Sequence, residues 1–213
     1  MPEIRPASRP VAIARMLVGA AVIGTLIYTY AIGIPAQGAN PFDYFGYFTN
    51  LTSLLTGLIL IASGAAAAVT RTVPDWMPQA RGAAVTCMII VALIYNLIVP
   101  GTGTAPAWVS ITLHLVFPVL LVLDWLLVGD RPPLPWRRLW IVLPYPLTWL
   151  VVTLVRGATD GWVPYGFLLP ERGAAQLAAT AGGLLLALLA AAALVWTMSR
   201  QRGVATASTG FAG

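Results

Sequence analysis

The sequence predicts an all-α integral membrane protein, a bundle of six transmembrane helices with both termini on the cytoplasmic side. Three observations predict it. Of 213 residues, 59% are hydrophobic and only 9% charged, against about 25% charged in an ordinary soluble domain. Six long uncharged runs recur, each close to the roughly 20 residues that a spanning helix requires. Ten of the twelve arginines fall in the tails, in the connections or near the run ends on one side of the implied membrane, as cytoplasmic arginines do. Six spans and short connections use nearly all of the chain, so one membrane domain is expected over residues 1–213, with cytoplasmic tails at about 1–10 and 199–213.

The first helix is expected from about Val11 to Ile32. Arg5, Arg9 and Arg15 precede or open it, as in the basic region of a signal peptide. The apolar run that follows is too long for a signal-peptide core, so an uncleaved helix is expected. The second runs from about Tyr44 to Val69, the third from Gly82 to Val99, the fourth from Ala107 to Val128 and the fifth from Leu139 to Val155. The sixth, from about Gly173 to Met198, offers Ala178, Ala181, Gly182 and Gly183 as a small-residue face for close packing. The connections carry turn formers: Gly33, Pro35 and Gly38; Pro74 and Pro78; Pro100, Gly101 and Gly103; Pro132, Pro133 and Pro135.

Arg5, Arg9, Arg15, Arg71, Arg81, Arg131, Arg137, Arg138, Arg200 and Arg202 define the cytoplasmic face, leaving Arg156 and Arg172 opposite with Asp43, Asp160 and Glu171. The net charge of +5 is therefore a topology signal and no nucleic-acid partner is expected. One cysteine, Cys87, builds neither a disulfide framework nor a thiolate site. A single histidine without nearby thiols or carboxylates is too few ligands for a metal, and no cofactor fingerprint is present. Exclusive use of arginine, with abundant Ala and Gly, points to a high-GC bacterial source and hence a multi-pass protein of the bacterial inner membrane.

Polar groups inside hydrocarbon are costly, so their depth is informative. Counted from the expected helix ends, Thr49 and Asn50 lie roughly 8 Å and His114 roughly 10 Å below the outer face. Tyr95 and Asn96 end the third helix on that face and Arg156 ends the fifth, so four helices deliver polar groups to one layer. Ser110 and Pro118 flank His114 at i−4 and i+4 on one helical face. An outward-opening pocket is expected there, bounded by the Arg156 to Glu171 loop. Asp124, roughly 15 Å deeper than His114, is expected to join an inner network with Arg131, Arg137 or Arg138.

A hydroxyl becomes nucleophilic when an imidazole accepts its proton, and lipid esters lie at about this depth. No carboxylate is placed to orient His114, which leaves Asn50, Asn96, Tyr95 or a backbone carbonyl for that task. Three stretches extend the reading: Tyr47-Phe48-Thr49-Asn50-Leu51, Leu113-His114-Leu115-Val116-Phe117-Pro118, and Gly161-Trp162-Val163-Pro164-Tyr165-Gly166-Phe167-Leu168. They resemble the androgen-induced membrane hydrolase family, six-helix hydrolases of fatty acid esters of hydroxy fatty acids. The resemblance implies Thr49 as nucleophile and His114 as its base, with a membrane lipid or fatty acid ester as substrate. Asn50, Asn96, Tyr95, Ser110, Arg156, Trp162 and Tyr165 are the candidate substrate-binding residues. The alternative is a lipid- or small-molecule-binding membrane protein that uses the same pocket without catalysis. A transporter is the third class, and the absence of an evident inverted repeat in the sequence weighs against it.

Overall fold

Among the described residues of the computed structural model, six helices are long and apolar enough to cross a membrane: α1 (Arg9–Gln37), α2 (Phe48–Val69), α3 (Met77–Leu97), α4 (Ala107–Leu127), α5 (Trp136–Thr159) and α6 (Ala174–Met198). The structure describes residues 7–70, 73–201 and 203, and no strand occurs among them. Arg5, Arg71 and Arg202 of the expected basic face lie outside the described residues.

Prolines account for most of the differences between the expected and observed ends. α3 begins at Met77 with Pro78 in its first turn, where a missing N–H costs nothing. α1 continues through Pro35 and stops at Gly38, whose φ of 81° only glycine adopts freely. The segment expected to open the second helix at Tyr44 instead forms its own short helix, Pro41–Tyr44, in which the Asn40 side chain accepts from the Phe42 N–H at 3.0 Å. α2 therefore starts at Phe48, and Thr49 lies in its first turn instead of a turn and a half inside. α5 opens as a 3₁₀ segment, Trp136–Val142, before the α-helical Pro144–Thr159.

Lipid tails are as apolar as leucine, so packing and polar contacts hold such a bundle more than the hydrophobic effect does. The core between α3, α4 and α6 is filled by Met88, Phe117, Trp125, Val195 and Trp196, all at most 1% exposed. Trp125 also donates from its indole to the Val195 carbonyl at 3.1 Å. The closest helix pair is α1 with α2, where a Cβ on Gly19 would stand 2.5 Å from the Gly57 carbonyl oxygen and one on Gly64 2.5 Å from that of Ala12. The small-residue face expected to pack closely was on α6, but Gly182 and Gly183 have open space around them. Glycine packs closely only where its missing Cβ faces a neighbour.

At the end of the bundle where α1 begins, three buried charges, Arg15, Arg81 and Asp130, interlock with the half-buried Asp124. Arg15 bonds Asp124 at 2.9 Å and Asp130 at 2.5 Å; Arg81 bonds Asp124 at 2.8 Å and Asp130 at 3.0 Å. Asp124 thus pairs with arginines of α1 and α3, which corrects the expectation of Arg131, Arg137 or Arg138. Arg131 instead lies over the Trp125 ring at 4.2 Å and donates to the carbonyls of Val128 and Met198. At the opposite end Gln37 and Thr104 are hydrogen-bonded. There Arg156 pairs with Asp43 at 2.7 Å and Asp160 at 2.9 Å.

Candidate functional site

Pro118 shapes the site through what it lacks. Without an N–H it cannot donate to the carbonyl four residues back, that of His114. The helix widens just before it: Thr112–Val116 is a π-helical turn, and the Phe117 N–H reaches the Thr112 carbonyl five residues back. Such wide turns inside α-helices recur at functional sites. The Asn96 amide of α3 donates to the stranded His114 carbonyl at 3.1 Å, and also to the Ala92 carbonyl at 2.8 Å.

The His114 side chain is fixed on three sides. Its Nδ1 lies 2.9 Å from the Ser110 carbonyl oxygen. A carbonyl only accepts, so Nδ1 carries the proton and Nε2 presents a lone pair. Tyr95 stacks on the ring with centroids 3.5 Å apart and planes 13° apart. Nε2 lies 3.2 Å from the Thr49 hydroxyl across the α2–α4 contact.

Thr49 is held as closely. The Asn50 amide donates to the Tyr44 carbonyl at 2.8 Å and the Trp149 indole to the Gly46 carbonyl at 2.8 Å, which fasten the chain before α2. Phe48, next to Thr49, is packed between Tyr145 and Trp149. One turn further, the Thr52 and Tyr145 hydroxyls are 2.7 Å apart. Tyr47, the residue before α2, supplies no side-chain cap, and the first-turn N–H groups of Phe48 and Thr49 turn to the Tyr165 phenol oxygen instead. The Tyr165 hydroxyl lies against the Thr49 hydroxyl and the backbone of Phe48 and Thr49. Burial pushes that phenol up, and these contacts only partly offset it, so it remains a donor.

Thr49 and His114 open on a cavity of about 430 Å³, within the range of small-molecule sites. Asn50, Tyr95, Ser110 and Tyr165 line it as well. Three other candidate residues do not. Asn96 spends its amide on the α4 backbone. Arg156 is held by Asp43 and Asp160 and stacks over Trp162 at 4.2 Å. Trp162 packs on Gly46, where any side chain would collide with it, and edge-on against Tyr47 at 5.9 Å. Arg156 and Trp162 therefore brace the rim from outside. Tyr44 and Tyr47, which were not among the candidate binding residues, also belong to the cavity wall. A glycine between aromatics at 45–47 was the sequence signal for that close-packed corner. No protein-family model, no curated protein and no solved structure matches this chain.

Proposed function

We propose that the protein is an intramembrane lipid-ester hydrolase in which Thr49 is the nucleophile and His114 the general base. The observation that carries the proposal is the placement of the His114 ring between the Ser110 carbonyl and the Thr49 hydroxyl. With its Nδ1–H on the Ser110 carbonyl, the imidazole turns a lone pair toward the Thr49 hydroxyl at 3.2 Å, within the reach of a nucleophile–base pair. The carbonyl does here what a carboxylate does in a Ser-His-Asp triad, orienting the ring and selecting its tautomer. The motif resemblance to the androgen-induced hydrolases supports the same two residues.

In this mechanism Thr49 Oγ1 attacks the acyl carbon while its proton passes to His114 Nε2, forming a tetrahedral intermediate. On collapse the bond to the alcohol oxygen breaks and His114 returns the proton to that oxygen. Water then attacks the acyl-threonine ester, giving a proton to His114. The second collapse releases the fatty acid and restores the Thr49 hydroxyl. The donor placed beside Thr49 for the developing oxyanion is the Tyr165 hydroxyl, at the positive end of α2. The arginine-rich end of the bundle faces the cytoplasm of a bacterial cell by the charge rule, so the cavity opens in the outer half of the inner membrane.

Labelling of the membrane-embedded protein with a serine/threonine-reactive fluorophosphonate tests the proposal. The wild type is expected to label, Thr49→Ala not at all, and His114→Gln at least about 10²-fold more slowly. Full-strength labelling of Thr49→Ala would remove Thr49 from the nucleophile role.

A further inference from the structure

α5 and α6 both line the cavity, yet they do not close it between them. α6 packs against the 3₁₀ opening of α5, Trp136–Val142, and near its other end against the Gly166–Leu168 and Pro170–Arg172 turns. Arg172 donates to the Gly166 carbonyl at 2.5 Å, so those turns form one strap across the outer end. Between the strap and the 3₁₀ segment, the α-helical part of α5, Pro144–Thr159, hardly approaches the α6 backbone. It is tied to α2 instead, by Tyr145 and Trp149, which pack on Phe48 and bond the Thr52 hydroxyl and the Gly46 carbonyl. The gap that remains is edged by Leu147 and Leu150 of α5 and by Ala181, Leu184 and Leu185 of α6, all of which line the cavity. Leu147 and Leu185 are nonetheless 42% and 36% exposed, so the wall is not sealed there.

The gap lies at the depth of the Thr49–His114 pair. Ala181 stands about seven residues from the outer end of α6 and Leu147 about 12 from that of α5, roughly 10 and 18 Å down. His114, about seven residues into α4, is also roughly 10 Å down. A hydrocarbon core about 30 Å thick covers this range, so lipid tails face the gap from outside. The rim at Gln37, Thr102 and Thr104 is, in contrast, polar and exposed.

We infer that the gap is a lateral port, through which the acyl chain of an outer-leaflet lipid ester passes between α5 and α6 and lies with its carbonyl at Thr49. A chain on this route never leaves apolar surroundings, whereas entry over the rim would carry it through water at a cost for every methylene. The polar rim admits the water that the second half of the reaction consumes. The port rests on the hydrolase reading for the reaction that follows and deepens it by assigning how the acyl chain arrives and where it lies. Chain binding itself does not need Thr49 to react.

The test uses purified protein in nanodiscs and fluorophosphonates that carry alkyl chains of 12, 16 and 20 carbons at equal mole fraction, beside a short water-soluble one. A port open to the bilayer lets a long chain extend outward, so the three chains are expected to label Thr49 of the wild type at rates within about threefold. A steeper fall with length marks a closed floor and overturns the port. Ala181→Trp, which fills the gap from its α6 edge, should lower the ratio of the 16-carbon rate to the short-probe rate at least about tenfold, and Thr102→Trp at the rim should raise it. The opposite pattern would move the entrance to the rim and overturn the port while leaving the hydrolase intact. Binding of a fluorescent fatty alcohol to Thr49→Ala separates the two readings. If no probe labels wild type but the alcohol binds, and adding Ala181→Trp weakens it at least about tenfold, the port stands and the hydrolase reading falls. Alcohol binding that Ala181→Trp leaves unchanged overturns the port alone, and the absence of both labelling and binding overturns both.

Discussion

Asn96 supplies to the His114 carbonyl, at 3.1 Å, the hydrogen-bond donor that Pro118 cannot. The pair makes a cycle possible. Asn96→Leu is expected to destabilise the protein by about 1–3 kcal/mol, because a carbonyl inside the membrane loses its donor. In a Pro118→Ala background the restored N–H competes for the same carbonyl, so Asn96→Leu should cost measurably less there. Thermal unfolding in detergent of the two single variants and the double variant decides it; strictly additive losses would show that the two residues do not share that carbonyl.

Asp130 is 1% exposed on its side chain and touches both Arg15 and Arg81. Burial raises its carboxyl, but the two guanidiniums more than offset this and hold it at about 2. A carboxylate whose folded value lies below its unfolded value of about 3.9 contributes stability above that value and loses it as the pH falls. Unfolding temperature should therefore hold down to about pH 4 and drop between about pH 4 and 2. Asp130→Asn should lower it at neutral pH, with a loss of stability on the order of 3–5 kcal/mol for a broken buried pair, and flatten that acid limb. An unchanged acid limb in Asp130→Asn would assign it to other groups.

The α1–α2 contact predicts a contrast between two glycines of one helix. Gly19→Ala would drive a Cβ to 2.5 Å from the Gly57 carbonyl and 2.9 Å from Ile61 Cγ1, whereas Gly24→Ala meets nothing within 4 Å. The first should destabilise by about 1–3 kcal/mol. The second should be neutral or stabilising by about 0.5–1 kcal/mol. Comparable effects of both in thermal unfolding would mean that the two helices are not in backbone contact at Gly19.

Orientation is tested with single cysteines in a Cys87→Ala background. Gly101→Cys and Asp160→Cys should react with an impermeant thiol reagent in intact cells, and Asp75→Cys and Pro133→Cys should react only after lysis. The reverse pattern would turn the cavity toward the cytoplasm.

The helices, their number and their approximate ends were legible because both controls are local. Hydrocarbon thickness sets the length of a span, and a helix satisfies its own backbone within the segment. Counting along those spans also identified the Thr49, His114 and Tyr95 layer, although α2 begins four residues later than the apolar run suggests. The partners within each layer were decided by the tertiary structure. Asp124 meets Arg15 and Arg81 instead of Arg131, Arg156 is drawn to Asp43 and away from the cavity, and the group that orients His114 is the carbonyl of Ser110 in its own helix. The physical reason lies in the composition of the spans. In runs that are apolar all round, no polar stripe records how each helix is rotated about its axis. That rotation is set by contacts between distant positions, such as Gly19 against Gly57, and it decides which polar side chains face one another.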